Sequence, residues 1–272
     1  MLNKETLQLV IDNAILAATR AIAVDGGADV AALPEGVRLQ NLEQFKPHRD
    51  RFRGALNTHS IKDFSAYATN HPHEGPAGFI DQDRMRATVI FNLGDPNSPG
   101  HGDDVAHLTL KATAAYAALC QICGQKLTQQ ALAEWLEDWS SNLQAFAGEQ
   151  VLSVPQAIAA VRRMTIKATS QRDSVVGDFS ASRSAMDEIE AKSQEVLPTH
   201  FLFTTEPFEG LPVAVITLRL SVITGGDSPM LKLRWSQEEA QREEFAKNFK
   251  QTLSAEIGGL IPLTIGTFAI AN

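Results

Sequence analysis

Residues 213–235 have the sequence VAVITLRLSVITGGDSPMLKLRW. Apolar and polar side chains alternate in both halves of this stretch, with apolar residues at 216, 218, 220 and 222 and again at 231, 233 and 235. Gly225, Gly226 and Asp227 lie between the halves and are residue types suited to a turn. A period of two indicates strands that bury one face. The stretch therefore predicts a long antiparallel hairpin with a polar outer face.

Upstream of this hairpin, shorter signals predict a second antiparallel group. Ala77 to Ile80 and Ala87 to Phe91 are apolar runs separated by the polar residues Asp81 to Arg84, a pattern typical of a β-hairpin. A loop rich in glycine and proline then leads to Val105 to Leu110, whose residues alternate in type. These three segments predict a β-meander.

Helical spacing of apolar residues predicts six helices around these strands. They are residues 4–24, a short helix behind the N-cap Ser60, Ala112 to Cys123, Thr128 to Leu143, Pro155 to Arg163, and Gln237 to Ile257. Short extended segments are expected at 37–39, 164–169 and 199–205, and residues 182–192 fit helix or strand. Leu260 to Ile270 carry no charge and are rich in β-branched residues, which predicts an extended tail. Pro262 lacks an amide donor, so the tail should begin as an edge strand, on its own sheet or on a neighbouring subunit's.

Together these elements predict an α+β protein. Its sheet should be mainly antiparallel, made of the meander and the long hairpin, with helices beside it. Asp25, Gly26 and Gly27 end the first helix, and the stretch from Leu33 to Gly36 opens an extended segment. We therefore expect residues 1–33 to form an N-terminal helical arm and residues 34–272 to form a single α+β domain.

Composition bounds the class of protein. A chain of 272 residues with 44% apolar residues can bury a large core without disulfides or metal ions. Its two cysteines are too close in sequence to staple a fold, which favours a reducing, cytoplasmic compartment. No apolar run is long enough to span a bilayer. The net charge of −8 disfavours a surface that attracts nucleic acid everywhere, although a local basic patch can still do so.

Two basic clusters are candidates for such a patch. Arg219, Lys232 and Arg234 share the polar face of the predicted hairpin, and Lys46, Arg49, Arg51 and Arg53 form a second cluster. A basic strand face with nearby aromatic side chains can follow a phosphate backbone. The competing interpretation, which we favour, is a solvated face or charge pairing with the glutamate-rich helix that follows the hairpin.

Histidines and carboxylates of the central loops are the candidate residues for metal binding or catalysis. Imidazoles and carboxylates gather in the central loops, and imidazole with carboxylate suits a transition metal or a general base. These residues are His71, His73, His101, Asp103, Asp104 and His107. Their spacing matches no metal signature, and the pair Cys120 and Cys123 has no second pair to complete a zinc site. The Walker, dinucleotide-binding and Gly-x-Ser-x-Gly motifs are absent. We therefore predict no catalytic residue, no metal and no cofactor, and we identify no small-molecule substrate.

A series of short blocks follows in order over roughly residues 34–265. They include Arg51-Phe52-Arg53-Gly54, Phe79-Ile80-Asp81, Phe91-Asn92-Leu93-Gly94-Asp95, Pro99-Gly100-His101, Thr113-Ala114-Ala115-Tyr116, Leu136-Glu137-Asp138, Arg183-Ser184-Ala185-Met186, Ile189-Glu190-Ala191-Lys192 and Ile223-Thr224-Gly225-Gly226. In their order, these blocks resemble the YfdQ family of phage and prophage proteins. The resemblance implies a phage accessory protein, often encoded near recombination genes. The family's function is unassigned, so the resemblance supplies no catalytic residues.

Three functional hypotheses follow. The first is a non-enzymatic protein that forms a homo-oligomer, because both termini carry more apolar residues than one buried face requires. Leu9, Ile15 and Leu16 lie outside the main stripe of the first helix, and the tail is apolar on both faces. The alternatives are a single-stranded nucleic-acid-binding accessory to phage recombination, acting through Arg219, Lys232 and Arg234, and a metal-dependent enzyme centred on residues 101–107.

Overall fold

The computed structural model describes residues 3–22, 45–49, 51–71, 75–164, 196–223 and 230–270, with the backbone alone for 16–22. The chain divides into two compact units, Met1–Phe52 and Arg53–Asn272. The predicted end of an N-terminal arm at residue 33 lies outside the described residues and stays a prediction. So do the predicted segments at 37–39, 165–169 and 182–192 and the turn at 225–227.

The first unit contains helix α1, Lys4–Ile22, which confirms the predicted N-terminal helix. Asn3 caps it, because its Oδ1 accepts a hydrogen bond of 2.8 Å from the Thr6 amide. Every described side chain from Asn3 to Ala14 is exposed, including the apolar ones.

The second unit contains two five-stranded sheets among its described residues. The first has the strand order β1-β6-β3-β2-β12. These strands are β1 Gly54–Thr58, β2 Ala77–Asp81, β3 Arg86–Ile90, β6 Asp104–Thr109 and β12 Leu263–Ile265, and a short ribbon of β4 Gly94–Asp95 and β5 Ser98–Pro99 lies between β3 and β6 in the chain. β2, β3 and β6 pair antiparallel, which confirms the meander, whereas β1 joins β6 and β12 joins β2 in parallel.

The second sheet contains the long hairpin and has the order β11-β10-β9-β7-β8. Its strands, all antiparallel to their neighbours, are β7 Leu143–Ala147, β8 Gln150–Leu152, β9 His200–Thr205, β10 Ala214–Ile223 and β11 Met230–Trp235. Leu218 lies opposite Trp235 and Leu220 opposite Leu233, as the alternation predicts. Ile216, Leu218, Leu220 and Val222 are all buried. The predicted hairpin and the α+β class are therefore confirmed.

Helices cover the inner faces of the sheets. They are α2 Ile61–Asn70, α3 Ala114–Ile122, α4 Gln129–Asp138, α5 Val154–Arg163 and α6 Glu238–Ile257. Ser60, Thr113, Thr128 and Ser153 each cap a helix through a side-chain oxygen. α2 packs against β1, β6 and α6, while α4 and α5 pack against each other and against β11 and β7 respectively.

Helix α4 is shorter than predicted. It ends at Asp138, and a single 3₁₀ turn at Ser140–Asn142 leads into β7 instead of continuing the helix to Leu143. Asn142 donates a hydrogen bond of 2.9 Å from its Nδ2 to the carbonyl of Thr204, which ties this turn to β9. Pairing with β9 places Leu143 in the core, so tertiary contacts override the local helical pattern.

One apolar core joins both sheets and helices α2 to α6. α6 contributes Phe245, Phe249, Leu253 and Ile257 at four-residue spacing, each buried, as predicted. Trp135 of α4 stacks on Phe203 of β9 with ring centroids 5.6 Å apart. Among the described helices, none is long and apolar enough to cross a membrane.

The C-terminal tail pairs within its own chain. The Gly78 amide donates a hydrogen bond of 2.9 Å to the Pro262 carbonyl, and Leu263–Ile265 then form the edge strand β12 beside β2. Further on, the Phe268 ring stacks on Phe79 at 4.8 Å. The prediction of an edge strand is confirmed, and of its two alternatives the structure places the tail on its own sheet.

Alanine substitutions at two adjacent tail residues test how much docking of the tail contributes to stability. Ile261 is buried, with 3% of its surface exposed, while Leu260 beside it is 60% exposed. We expect Ile261→Ala to lower the free energy of unfolding by about 2–4 kcal/mol because it opens a cavity in the core. Leu260→Ala should change it by less than about 0.5 kcal/mol. Urea denaturation followed by circular dichroism measures both, and equal effects would contradict docking of the tail.

Candidate nucleic-acid interface

The outer face of the second sheet is formed by the alternate residues that point away from the core. On β10 these include Thr217, Arg219 and Ser221, and on β11 they include Lys232 and Arg234. The outward residues of β9, β7 and β8 complete the face with His200, Leu202, Thr204, Gln144, Phe146 and Val151. None of the outward residues on the described strands of this sheet is acidic. The three predicted nucleic-acid-binding residues therefore lie on one face.

Strand register brings the two arginines together. Arg219 on β10 lies directly opposite Arg234 on β11, and both are exposed. On its other side, Arg219 lies opposite His200 of β9, which in turn lies opposite Phe146 of β7. Like charges directly opposite each other on adjacent strands destabilise a sheet, and a bound anion relieves the repulsion. A row of two guanidinium groups and two rings thus crosses four strands.

His200 contributes a planar imidazole ring to this row. Its ring stacks on Phe146 with centroids 4.9 Å apart and planes 8° apart. Its Nδ1 lies 3.2 Å from the Thr199 hydroxyl. Burial, with a smaller contribution from the charge of Arg219, lowers the pKa of His200 below its ordinary value of 6.5. The imidazole is therefore mainly neutral at pH 7, and the positive charge of the row resides on the arginines.

Lys232 lies opposite Ser221, so it sits two residues from Arg234 along the same face. Within the part of the chain that the structure describes, no ion pair joins Arg219 or Lys232 to the glutamates of α6. Glu238 of α6 pairs instead with Arg242 on the same helix, and its Oε1 lies 2.7 Å from Nη2 of that arginine. The assignment of Arg219, Lys232 and Arg234 to nucleic acid stays a prediction.

An open depression lies beside the arginine pair, where β11 leads into α6. It has a volume of about 570 Å³, and its lining includes Thr217, Arg219, Arg234, Ser236 and Gln237. The Ser236 amide donates to the Thr217 carbonyl at 2.9 Å, which continues the ladder beyond the end of β11.

Gln241 fixes one side of the depression. Its Nε2 donates to the Val215 carbonyl at 2.9 Å, and its Oε1 accepts a hydrogen bond from Nε1 of Trp235. Arg242 lies over the Trp235 ring, with its guanidinium carbon 5.2 Å from the ring centroid. These contacts hold the first turn of α6 against β10 and β11, beside the arginine pair.

Sequence reasoning missed His200 and Phe146. Residues 199–205, which include His200, are predicted to be extended, but the sequence predicts no element between Leu143 and Pro155, where Phe146 lies. Register between β7 and β9 brings these residues together across more than fifty positions of chain. The aromatic component of the surface could be recognised only from the fold.

The loop considered for metal binding does not assemble a ligand set. Asp104 is fully buried at the start of β6, and His107 Nδ1 lies 3.1 Å from the Thr88 hydroxyl. Asp103 accepts a 2.9 Å hydrogen bond from the Asn92 side chain, and His101 is exposed. Within the described residues, no three histidine, cysteine, aspartate or glutamate side chains come together as metal ligands. His73 lies outside those residues.

Residues 3–268 match the model of a family of uncharacterised conserved proteins, DUF2303. The chain belongs to this family. No curated protein and no solved structure matches it. Because the family is uncharacterised, the role of the DUF2303 protein has to be argued from its own surfaces.

The two cysteines of the DUF2303 protein differ in environment. Cys123 follows the last residue of α3 and is half-buried, and burial is the main cause that raises its thiol pKa to about 12. Cys120 is exposed in the last turn of α3, where its Sγ lies 4.0 Å from Nη2 of Arg242. Both are free thiols.

The second basic cluster falls on the sequence boundary between the two compact units. Lys46 and Arg49 are exposed in the first unit, and Arg53 begins the second. The basic outer face of the second sheet is therefore the better-defined candidate site.

The pKa of His200 is sensitive to the charge of Arg219. In Arg219→Gln we expect the pKa of His200 to rise, because a neighbouring positive charge that disfavours the imidazolium has been removed. It should stay below 6.5, since burial, the larger cause, remains. An NMR titration of the imidazole protons measures this shift. Arg162→Gln, which alters an exposed arginine paired with Glu137, is the matched control, and an unchanged His200 in Arg219→Gln would contradict the proximity.

Proposed function

We propose that the DUF2303 protein is a non-enzymatic, self-associating accessory protein of phages and prophages. The phage context rests on the ordered sequence blocks that resemble the YfdQ family. The non-enzymatic role is supported by the absence from the sequence of the common nucleotide-binding and acyl-transfer motifs. Self-association rests on one observation, the exposed apolar stripe of α1.

The stripe of α1 is formed by Leu7, Val10, Ile11 and Ala14, which follow the helical spacing of one face. The exposed fractions of Leu7, Val10 and Ile11 are 53%, 56% and 43%. The helix has 19 residues and is therefore about 28 Å long. Helices in proteins gain most of their stability from packing such a face. A second copy of the chain supplies an identical stripe, and isologous contacts of this kind close a symmetric oligomer.

The C-terminal tail adds apolar surface in the second unit. Leu260, Ile265, Phe268 and Ile270 each expose 46–60% of their surface although the tail is docked on its own sheet. A tail held by one face and apolar on the other is the arrangement expected of an interface segment.

A charge placed in the stripe of α1 tests self-association. We expect the wild-type protein to be oligomeric at micromolar concentration and Leu7→Glu to shift it to smaller species, because a carboxylate in an apolar contact is costly to bury. Gln8→Glu is the matched control, since it adds the same carboxylate at an exposed polar position of α1 outside the stripe. Light scattering coupled to size-exclusion chromatography measures the masses. A strictly monomeric wild type, or equal masses for wild type and Leu7→Glu, would remove the proposal.

A second candidate function is binding of single-stranded nucleic acid, and the opposed pair Arg219 and Arg234 supports it. Cations and stacked rings on one strand face are the two components that hold a phosphate backbone and its bases. Lys232 and the Phe146–His200 stack extend this surface beyond the arginine pair.

Salt dependence tests the second candidate. We expect a labelled oligodeoxythymidine to bind with an affinity that falls as salt rises. Replacing Arg219, Lys232 and Arg234 together by Gln should weaken binding and flatten the plot of log K against log salt by about 0.7 for each lost contact. Fluorescence anisotropy measures both, with Arg162→Gln as the control. Absence of binding at low ionic strength, or an unchanged slope in the triple variant, would count against this surface.

A further inference from the structure

We infer that the depression beside Arg219 and Arg234 is a binding site for a phosphate group. The inference deepens the second candidate function, on which its nucleic-acid form rests, by naming where one phosphate sits and which groups hold it. A phosphate on a small molecule presents the same chemistry.

The charge and geometry of the arginine pair fit a phosphate. Arg219 and Arg234 are opposed across the β10–β11 ladder, and both line the depression. Each guanidinium presents a planar fork of donors that matches two phosphate oxygens, a fit that a lysine ammonium cannot reproduce. Their opposed positions on β10 and β11 allow both arginines to contact the same phosphate group.

Uncharged donors beside the pair complete the chemistry. Thr217, Ser236 and Gln237 line the same depression. The Ser236 hydroxyl is buried and has no hydrogen-bond partner within the described residues. A buried hydroxyl without a partner is unfavourable, and rotation about χ1 would allow it to donate to an anion in the depression. Short hydroxyl donors beside two arginines are a set suited to phosphate oxygens.

Two carboxylates lie in the first turn of α6, and one of them is paired within the helix. Glu238 and Glu239 lie in the first turn of α6, which begins at the depression. The Glu238 carboxylate accepts hydrogen bonds from Nε and Nη2 of Arg242, at 3.0 and 2.7 Å. Glu239 is exposed. Gln241 is committed to Trp235 and Val215, so its amide holds the wall in place.

The experiment distinguishes the planar donor geometry of the guanidinium groups from their positive charge. The double variant Arg219→Lys, Arg234→Lys keeps both positive charges but loses both planar forks, and Arg162→Lys is the matched control at an exposed arginine elsewhere. Inorganic phosphate binding is followed by the line width of its phosphorus NMR signal, and oligodeoxythymidine binding by anisotropy. Circular dichroism melting curves check that each variant is folded.

We expect wild type and Arg162→Lys to broaden the phosphate signal equally and the double lysine variant to lose phosphate affinity by about tenfold or more. Its oligonucleotide affinity should fall by only about two- to threefold, because the charge that attracts the backbone is kept. Phosphate affinity that is absent in the wild type, or equal in wild type and the double variant, overturns the inference. Phosphate binding without oligonucleotide binding supports the inference and removes the second candidate function, with a small phosphorylated molecule as the ligand.

Discussion

The alternation of β10 between buried and outward side chains links the core of the second unit to its surface. β10 is paired along both edges, with β9 on one side and β11 on the other. Its inward residues Ile216, Leu218, Leu220 and Val222 are all buried. A shift of register by one residue would turn these four side chains outward and bring Arg219 into the core. The position of Arg219 opposite Arg234 is therefore fixed by the packing on the other face.

A comparison of free energies explains why the sheet tolerates Arg219 opposite Arg234. Burial of the four apolar side chains of β10 contributes roughly 1.5–3 kcal/mol each. A cross-strand pair of side chains is typically worth roughly 0.2–1 kcal/mol, and like charges directly opposite each other are destabilising. The four buried side chains of β10 together contribute more than one unfavourable cross-strand pair costs, so packing of the core holds the two arginines opposite each other. Two opposed arginines attract an anion more strongly than a single surface arginine does, so their position is better evidence of a binding site.

The parts of the fold that local patterns specify could be predicted from the sequence. The hairpin of β10 and β11, the meander, helix α6 and the caps at Ser60 and Thr128 each depend on residues that are close along the chain. Contacts between distant segments could not be predicted. The parallel pairing of β1 with β6, and the choice of the tail for its own sheet, are examples. The same limit applies to the site, because the arginines share a hairpin while His200 and Phe146 join them only through the β7–β9 pairing.

Self-association through α1 and nucleic-acid binding at the basic face of the second sheet are linked, because the charge of the whole chain weakens binding by a single copy. The chain carries a net charge of −8, so a polyanion is repelled at long range and is attracted only within about one Debye length of the basic face, some 8–10 Å at physiological ionic strength. Three cations on one face therefore give weak binding by a single copy. A symmetric assembly built through α1 would present the same face several times, and a strand bound to one face would meet the next at a high effective concentration. In such an arrangement the apolar helix would set the affinity for nucleic acid without touching it, and disruption of the assembly would weaken binding even with every arginine in place.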